Sequence, residues 1–200
     1  MPVRIISSLH DAEGACRAAL DAVKRGRIIL FPTETVYGLG VDSRNPRAIE
    51  KLYRLKERAR EKPFQWLVAD VEAARAASPG WNELADKLTR AFWPGPLTLV
   101  VRARKGTIGW RMPQHEWLLE FLRQLGRPLI ATSANRSGGR PVQSCAEAVK
   151  LFGSRIGVAM DGGEIREGRV STVMSVVRGK PEMLRGGAIP EEEIQRVLDG

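Results

Sequence analysis

The spacing of apolar and polar positions divides the chain into amphipathic helices and short buried strands. Apolar residues recur three and four positions apart over 8–26 and 82–92, which is the period of one helix face. Short runs rich in branched residues, at 28–31 and 128–132, predict buried strands. Because the two patterns alternate along the chain, we predict a single α/β domain over residues 1–200.

Caps and turns place the remaining elements. Asn45 and Pro46 form a helix start, since asparagine caps the first amides and proline suits the first turn. Gly26 and Gly126 stand where left-handed caps end helices. Four further helices are expected: over 70–77, from Trp117 to Leu125, ahead of Val158, and from Pro190 onwards. Further strands are expected at 64–68, 97–101, near Val158, 171–177 and 181–185.

Three polar segments lie beside these strands and are interpreted as loops, at 32–40, 107–113 and 133–141. Together with the basic helix end at 56–62, they can converge on one cleft, because open α/β sheets bind ligands at loops beyond strand ends. Simpler interpretations stay open for three of these stretches: 32–40 can be an ordinary glycine turn, 133–138 a helix cap and turn, and 56–62 a solvated basic helix face.

Charge is the most informative part of the composition. Thirty-two Lys and Arg residues against 23 Asp and Glu residues give a net charge of +9 and a pI near 10.1. This balance favours a polyanionic partner, either nucleic acid or a nucleotide triphosphate, although a generally basic surface is the alternative. No apolar run approaches the roughly 20 residues of a membrane span, and no export signal is evident. We therefore expect a cytoplasmic protein without a membrane partner.

Missing motifs narrow the chemistry. The two cysteines lie far apart and form no zinc or disulfide pattern, so we expect no bound metal. The chain has no GxxxxGK[ST] loop and no GxSxG elbow, and Gly38-Leu39-Gly40 lacks the third glycine of a dinucleotide fingerprint. An enzyme with this sequence would act chiefly by positioning and by stabilising charge.

Several motifs, in order along nearly the whole chain, resemble the YrdC-like family. The matching segments are Pro32–Gly40, Lys56-Glu57-Arg58, Trp93–Thr98, Thr132–Gly138, Ser171-Thr172-Val173 and Leu184–Ile189. The resemblance implies a twisted sheet of mixed parallel and antiparallel strands, flanked by helices around a basic concave cleft. It also implies an ATP-dependent synthesis of threonylcarbamoyl-AMP from L-threonine and bicarbonate or CO2, with Mg²⁺ accompanying ATP and pyrophosphate released. A partner transferase would then modify tRNA.

The same resemblance assigns roles to individual residues. Lys56 and Arg58 are expected to be catalytic. The L-threonine site is expected to contain Thr33, Arg111, Ser133 and Ser171, with the guanidinium of Arg111 on the carboxylate. The nucleotide site is expected to contain Arg58, Lys62, Thr107, Asn135, Ser144 and Arg185. Glu34 is a candidate for orienting its loop or for a water-mediated metal contact, and Gly38 and Gly40 are expected to shape a turn.

Two positions depart from the family pattern. Ala59 replaces a proline after the Lys-x-Arg pair, and Leu67 stands where longer members carry a threonine-binding histidine. The second departure leaves the basis of amino-acid selectivity open. Longer members also carry a second, C-terminal domain, for which this chain is too short. Two rival functions remain: a module that binds double-stranded RNA or tRNA directly without catalysis, and a paralogue that handles another carbamoyl-adenylate.

Overall fold

A computed structural model describes residues 3–136, 138–165 and 168–200; Ser137 of the Thr132–Gly138 segment lies outside them. The strands, numbered in chain order, are β1 (Arg4–Ser7), β2 (Ile29–Phe31), β3 (Gly38–Asp42), β4 (Gln65–Leu67), β5 (Leu97–Arg102), β6 (Thr107–Arg111), β7 (Leu129–Ser133), β8 (Val158–Asp161), β9 (Thr172–Ser175) and β10 (Glu182–Arg185). The helices are α1 (Ala12–Lys24), α2 (Pro46–Lys56), α3 (Val71–Ala76), α4 (Glu83–Phe92), α5 (Glu116–Leu125), α6 (Cys145–Phe152) and α7 (Glu191–Asp199), and a short 3-10 helix covers Gly153–Arg155.

All the strands of this described part of the chain belong to one sheet. Their order is β1-β8-β2-β3-β7-β4-β6-β5-β9-β10. The pairs β1/β8, β2/β8, β4/β6 and β5/β9 are parallel, and the other neighbouring pairs are antiparallel. The expected mixed sheet flanked by helices is therefore confirmed.

The caps expected from the sequence hold the helix ends. The Asn45 side chain accepts a hydrogen bond from Ala48 N, with Pro46 in the first turn of α2. Gly126 ends α5 at a φ of 65°, a left-handed conformation that glycine adopts without strain. The predicted start of the first helix at residue 8 was wrong: α1 begins after the N-cap Asp11, and residues 8–10 form a turn that follows the edge strand β1.

Gly38 and Gly40 do not shape a turn, so that expectation was wrong. Both belong to β3, which pairs with β2 on one side and β7 on the other. A Cβ at position 38 would stand 2.7 Å from the Phe31 ring, and one at position 40 would stand 2.6 Å from Leu129 Cδ2. The glycines therefore let this buried strand pass large neighbouring side chains.

Residues 107–113 were expected to form a loop, but the first five are strand β6. The error matters for the site, because side chains two apart on a strand point to the same face. Thr107, Gly109 and Arg111 consequently share one face of the sheet, and all three line a cavity on it.

The two faces of the sheet are covered unequally. The closed face carries Ile130, Trp66, Trp110, Leu99 and Met174, which lie opposite one another on successive strands. Helices α2 and α6 cover one part of this face, and α3, α4 and α7 cover the other part. On the opposite, open face, α1 and α5 pack over one part of the sheet only, which leaves room for a cleft. None of the helices in the described ranges is both long enough and apolar enough to cross a membrane.

Candidate functional site

Two adjoining cavities occupy the open face. The smaller has a volume of about 200 Å³ and the larger about 560 Å³. They share Thr132, Ser133, Arg58, Val170 and Arg185 as walls, so they form one continuous cleft. No Asp or Glu is found among the lining residues within the described ranges.

Most of the predicted site residues lie in this cleft. The smaller cavity is lined by Thr33, Arg58, Thr107, Arg111, Ser133, Ser171 and Arg185, and the larger by Lys56, Arg58, Ser133, Asn135 and Arg185. Lys62 and Ser144 line neither cavity. Ser144 is the N-cap of α6, where its side chain accepts a hydrogen bond of 3.2 Å from Glu147 N. The nucleotide contacts predicted for these two residues stay predictions.

Thr33 organises the loop after β2. Its hydroxyl donates to Val36 O at 2.6 Å and accepts from the amides of Thr35 and Val36 at 3.1 and 3.0 Å. The Thr35 hydroxyl lies 2.8 Å away and completes the arrangement. Since these bonds occupy the Thr33 hydroxyl, the structure gives this residue a role in shaping the wall of the smaller cavity.

Arg111 is anchored by the same loop. Its Nη2 donates to Glu34 Oε1 at 2.8 Å and to Thr35 Oγ1 at 2.9 Å, and its Nε donates to Gly95 O at 3.3 Å. The side chains of Arg111 and Glu34 are only 3% and 19% exposed. The three fixed acceptors engage Nε and Nη2. Nη1 is therefore the guanidinium nitrogen that remains to donate to a carboxylate in the smaller cavity.

Lys56 holds the Ser133–Asn135 segment at the boundary between the cavities. Its ammonium donates to Ser133 O at 2.8 Å, to Asn135 Oδ1 at 2.9 Å and to Asn135 O. All three N–H groups are therefore used within the protein. Burial, together with the nearby charge of Arg58, lowers the pKa of Lys56 to about 8. The structure thus adds a positioning role to the predicted catalytic one.

Arg58 folds the segment that follows α2. Glu57 ends the helix in a left-handed conformation, with a φ of 47°. Arg58 Nε then donates to Lys62 O at 2.6 Å, Nη2 donates to Pro63 O at 3.1 Å, and the guanidinium lies 5.2 Å from the centre of the Phe64 ring. These contacts position Arg58 as a wall of both cavities, while the Lys62 ammonium remains exposed.

Arg185 extends from β10 to the junction of the cavities. Its Nε and Nη2 donate to Ser171 O at 3.2 and 2.7 Å, and Nη2 also reaches Ser171 Oγ at 3.1 Å. Burial lowers the pKa of Arg185, and the charges of Arg111 and Arg58 lower it further. Like charges that are held together in this way favour the binding of an anion, which relieves their repulsion.

Four further residues belong to this site. Gln65 and Thr98 line the smaller cavity and Arg169 lines the larger, whereas Glu34 anchors Arg111 from behind. The alternation of side chains along β4 could have indicated Gln65, because residues two apart on a strand share a face and Leu67 was already a position of interest. Nothing in the sequence marks Arg169, whose position depends on how the chain returns from β8 to β9. Within the described ranges, no three His, Cys, Asp or Glu side chains come together as a metal site.

The fold and the cleft define a class of protein: an α/β protein with two joined polar cavities on the open face of a mixed sheet. The family model named for Sua5, YciO and YrdC, described as telomere recombination, matches residues 21–187. The chain belongs to this family, and the YrdC-like resemblance is confirmed.

Named relatives agree with this assignment. The chain is 36% identical to threonylcarbamoyl-AMP synthase of Pyrococcus abyssi, over 93% of its own length and 58% of that protein. It is 35% identical to threonylcarbamoyl-AMP synthase of Thiobacillus denitrificans, over 88% of its length and 98% of that protein. The crystal structure of P. abyssi Sua5 complexed with L-threonine superposes with a TM-score of 0.91 at 32% identity, covering 98% of this chain and 60% of that one.

Proposed function

We propose that this chain catalyses the ATP-dependent synthesis of threonylcarbamoyl-AMP from L-threonine and bicarbonate or CO2, with release of pyrophosphate. One observation carries the proposal: a small cavity with an anchored arginine opens directly into a larger, cationic cavity. A reaction that joins an amino acid to a nucleotide requires two such adjoining sites. The names of the relatives support the same activity.

The smaller cavity suits the amino acid. Arg111 presents Nη1 for the carboxylate, and the Thr33 loop and Ser171 form the walls. The substrate amine is then free to attack CO2: a C–N bond forms, one C–O π bond breaks with its electron pair moving to oxygen, and the nitrogen releases one proton to solvent. The product is a carbamate whose oxygen can face the larger cavity.

The larger cavity suits the nucleotide. A carbamate oxygen would attack the α-phosphorus of ATP, and the bond to the β-phosphate oxygen would break. Arg58 and Arg185 would hold the negative charge that shifts to pyrophosphate, because preorganised cations stabilise charge as it develops. Lys56 would contribute by fixing Ser133 and Asn135 between the two substrates.

Magnesium enters this scheme as part of the Mg-ATP substrate, since Mg²⁺ is held largely by substrate phosphates in such reactions. A separate transferase would move the threonylcarbamoyl group onto tRNA, forming threonylcarbamoyladenosine. We expect contact with tRNA to be indirect, through that partner.

The proposal is tested by incubating the purified chain with L-threonine, bicarbonate, Mg²⁺ and ATP, and measuring pyrophosphate and the threonylcarbamoyl-adenylate product. We expect pyrophosphate release that requires both L-threonine and bicarbonate. Release that requires bicarbonate but another acceptor would identify a paralogue with a different carbamoyl-adenylate. No release, together with tight and salt-sensitive binding of tRNA, would identify an RNA-binding module.

A further inference from the structure

Gln65 occupies a particular place on the open face. It lies two residues before Leu67 on β4, and both side chains line the smaller cavity. Leu67 is apolar and 1% exposed, so its side chain offers no hydrogen bond to a ligand. The nearest polar group on the same strand and the same face is the amide of Gln65.

The neighbours of Gln65 leave space around its side chain. On β7 its partner in the ladder is Ala131. On β6 the pairs Trp66–Trp110 and Leu67–Arg111 set a parallel register in which Gly109 is next, beside Gln65. A Cβ at position 109 would lie 3.4 Å from Thr98 Cγ2, and both residues line the smaller cavity. Small residues on both flanks therefore let a long side chain extend across the cavity floor.

The amide of Gln65 is held at one end. Its Oε1 accepts a hydrogen bond of 2.9 Å from the hydroxyl of Thr98, two strands away. Thr98 Oγ1 is also 2.9 Å from Ser171 Oγ, and Ser171 accepts from Arg185. This chain of contacts fixes the rotamer of Gln65 from behind. The Nε2 end makes no hydrogen bond to any residue in the described part of the chain, so its two N–H groups remain available.

We propose that Gln65 is a specificity-determining residue, whose Nε2 amide donates a hydrogen bond to the side-chain hydroxyl of the amino-acid substrate. The proposal rests on the proposed function and adds which side chain selects L-threonine. Arg111 lies opposite Leu67 on the neighbouring strand, one side-chain step along the sheet from Gln65. With its carboxylate on Arg111, a small amino acid extends its side chain towards Gln65.

A site built to hydrogen-bond a hydroxyl group rejects an analogue that lacks it. L-valine has the shape of L-threonine with a methyl group in place of the hydroxyl, so it would leave Nε2 without an acceptor. The unmodified chain should therefore bind L-threonine more tightly than L-valine. The difference should decrease when the amide is removed.

The test is isothermal titration of L-threonine and L-valine into the unmodified chain, Gln65→Met and Gln65→Asn. Methionine keeps the length of the side chain without its donors, and asparagine keeps the amide but shortens its reach. We expect both variants to lose at least tenfold of the preference for L-threonine, through weaker L-threonine binding and unchanged L-valine binding. Gln195→Met, on the exposed face of α7, is the matched control and should retain the full preference.

Each outcome separates the two proposals. If the unmodified chain binds neither amino acid, the proposed function fails together with this inference. If it prefers L-threonine and both Gln65 variants keep that preference, the inference alone is overturned. Equal weakening of both amino acids would also overturn it, because Gln65 would then serve only to hold Thr98. ATP affinity, measured in the same variants, checks that the larger cavity remains intact.

Discussion

The guanidinium of Arg111 donates a 2.8 Å hydrogen bond to Glu34 Oε1, and the two residues are 77 positions apart in the chain. The other carboxylate oxygen, Oε2, is buried and makes no hydrogen bond to any described residue. Glu34 therefore faces Arg111 as an anchor, and it does not line either cavity. This arrangement fixes the edge of Arg111 that remains for a substrate carboxylate.

Removing this anchor should weaken L-threonine binding. In Glu34→Ala, Arg111 loses its ionic partner, and we expect about a tenfold loss of L-threonine affinity and a loss of about 3 kcal/mol in the free energy of unfolding. Glu34→Gln keeps an oxygen that can accept from Nη2, so its affinity should lie near that of the unmodified chain. Titration calorimetry and urea unfolding measure the two quantities. Equal weakening in both variants would instead show that the carboxylate charge itself acts on the substrate.

The pKa of Lys56, lowered to about 8 by burial and by Arg58, predicts a pH dependence of nucleotide binding. As the pH rises through this pKa of about 8, the amine loses a donor and its charge, so the Ser133–Asn135 segment loosens and ATP affinity should fall between about pH 7 and 9, a window of two units around that pKa. Stability should change in the opposite direction. The unfolded state keeps the proton up to its higher ordinary pKa, so this residue makes the free energy of unfolding rise with pH across that interval.

The comparison for this effect is Lys56→Met. It should bind ATP more weakly at every pH and show little further loss between about pH 7 and 9. A decline as steep as in the unmodified chain would assign the titration to another group. Fluorescence or calorimetric titration with ATP at fixed ionic strength makes the measurement, because salt screens charged contacts.

Arg169 should contribute to affinity for the polyphosphate. It is exposed and lines the larger cavity with Lys56, Arg58 and Arg185. In Arg169→Glu we expect roughly a tenfold loss of ATP affinity and a smaller loss for AMP, because a reversed charge repels the triphosphate most strongly. Arg178→Glu makes the same charge change at an exposed turn outside both cavities and serves as the control. Equal losses in the two variants would reflect net charge alone.

The ion pair of Asp42 and Arg127 should support the fold without affecting the site. Arg127 donates to both carboxylate oxygens, at 2.9 and 2.7 Å. These hydrogen bonds lower the pKa of Asp42. The ion pair therefore contributes to the free energy of unfolding above the ordinary aspartate pKa, and this contribution is lost as the pH falls through the lower pKa of Asp42 in the folded state.

We expect Arg127→Met to lower the free energy of unfolding by about 2 to 3 kcal/mol at pH 7, since it leaves the buried Asp42 unpaired. The difference from the unmodified chain should begin to decrease below about pH 4, where the carboxyl of the unfolded state takes up its proton, and should continue to decrease as the pH falls through the lower folded-state pKa of Asp42. Urea unfolding at pH 7 and pH 3 measures this, with L-threonine affinity as the check that the cleft is unchanged. A difference of the same size at both pH values would show that packing of the arginine stem, and not the charge, is responsible.

Local sequence signals predicted much of the framework. Apolar spacing gave α4 within one residue, and the Asn45-Pro46 and Gly126 caps were correct because capping depends on a few adjacent residues. Segments with weak local signals were misassigned. Residues 38–42 contain two glycines, which are depleted in strands, and in 107–111 a central glycine and the flanking Gly106 obscured the strand-favouring Thr107, Ile108 and Trp110. Both are strands because neighbouring strands on each side supply their hydrogen bonds.

The sequence by itself determined the class of fold, the order of most elements and the motifs that share a cleft, since these depend on local periodicity and on residue types in register. Only the tertiary structure decided which groups meet. It placed β4 between β7 and β6, which sets Gln65 beside Ala131 and within reach of Thr98. In the tertiary structure, the hydroxyl of Thr33 and the ammonium of Lys56 also donate hydrogen bonds to protein carbonyl groups. Such contacts join residues far apart in the chain, so their geometry follows from strand order and packing, which no local pattern encodes.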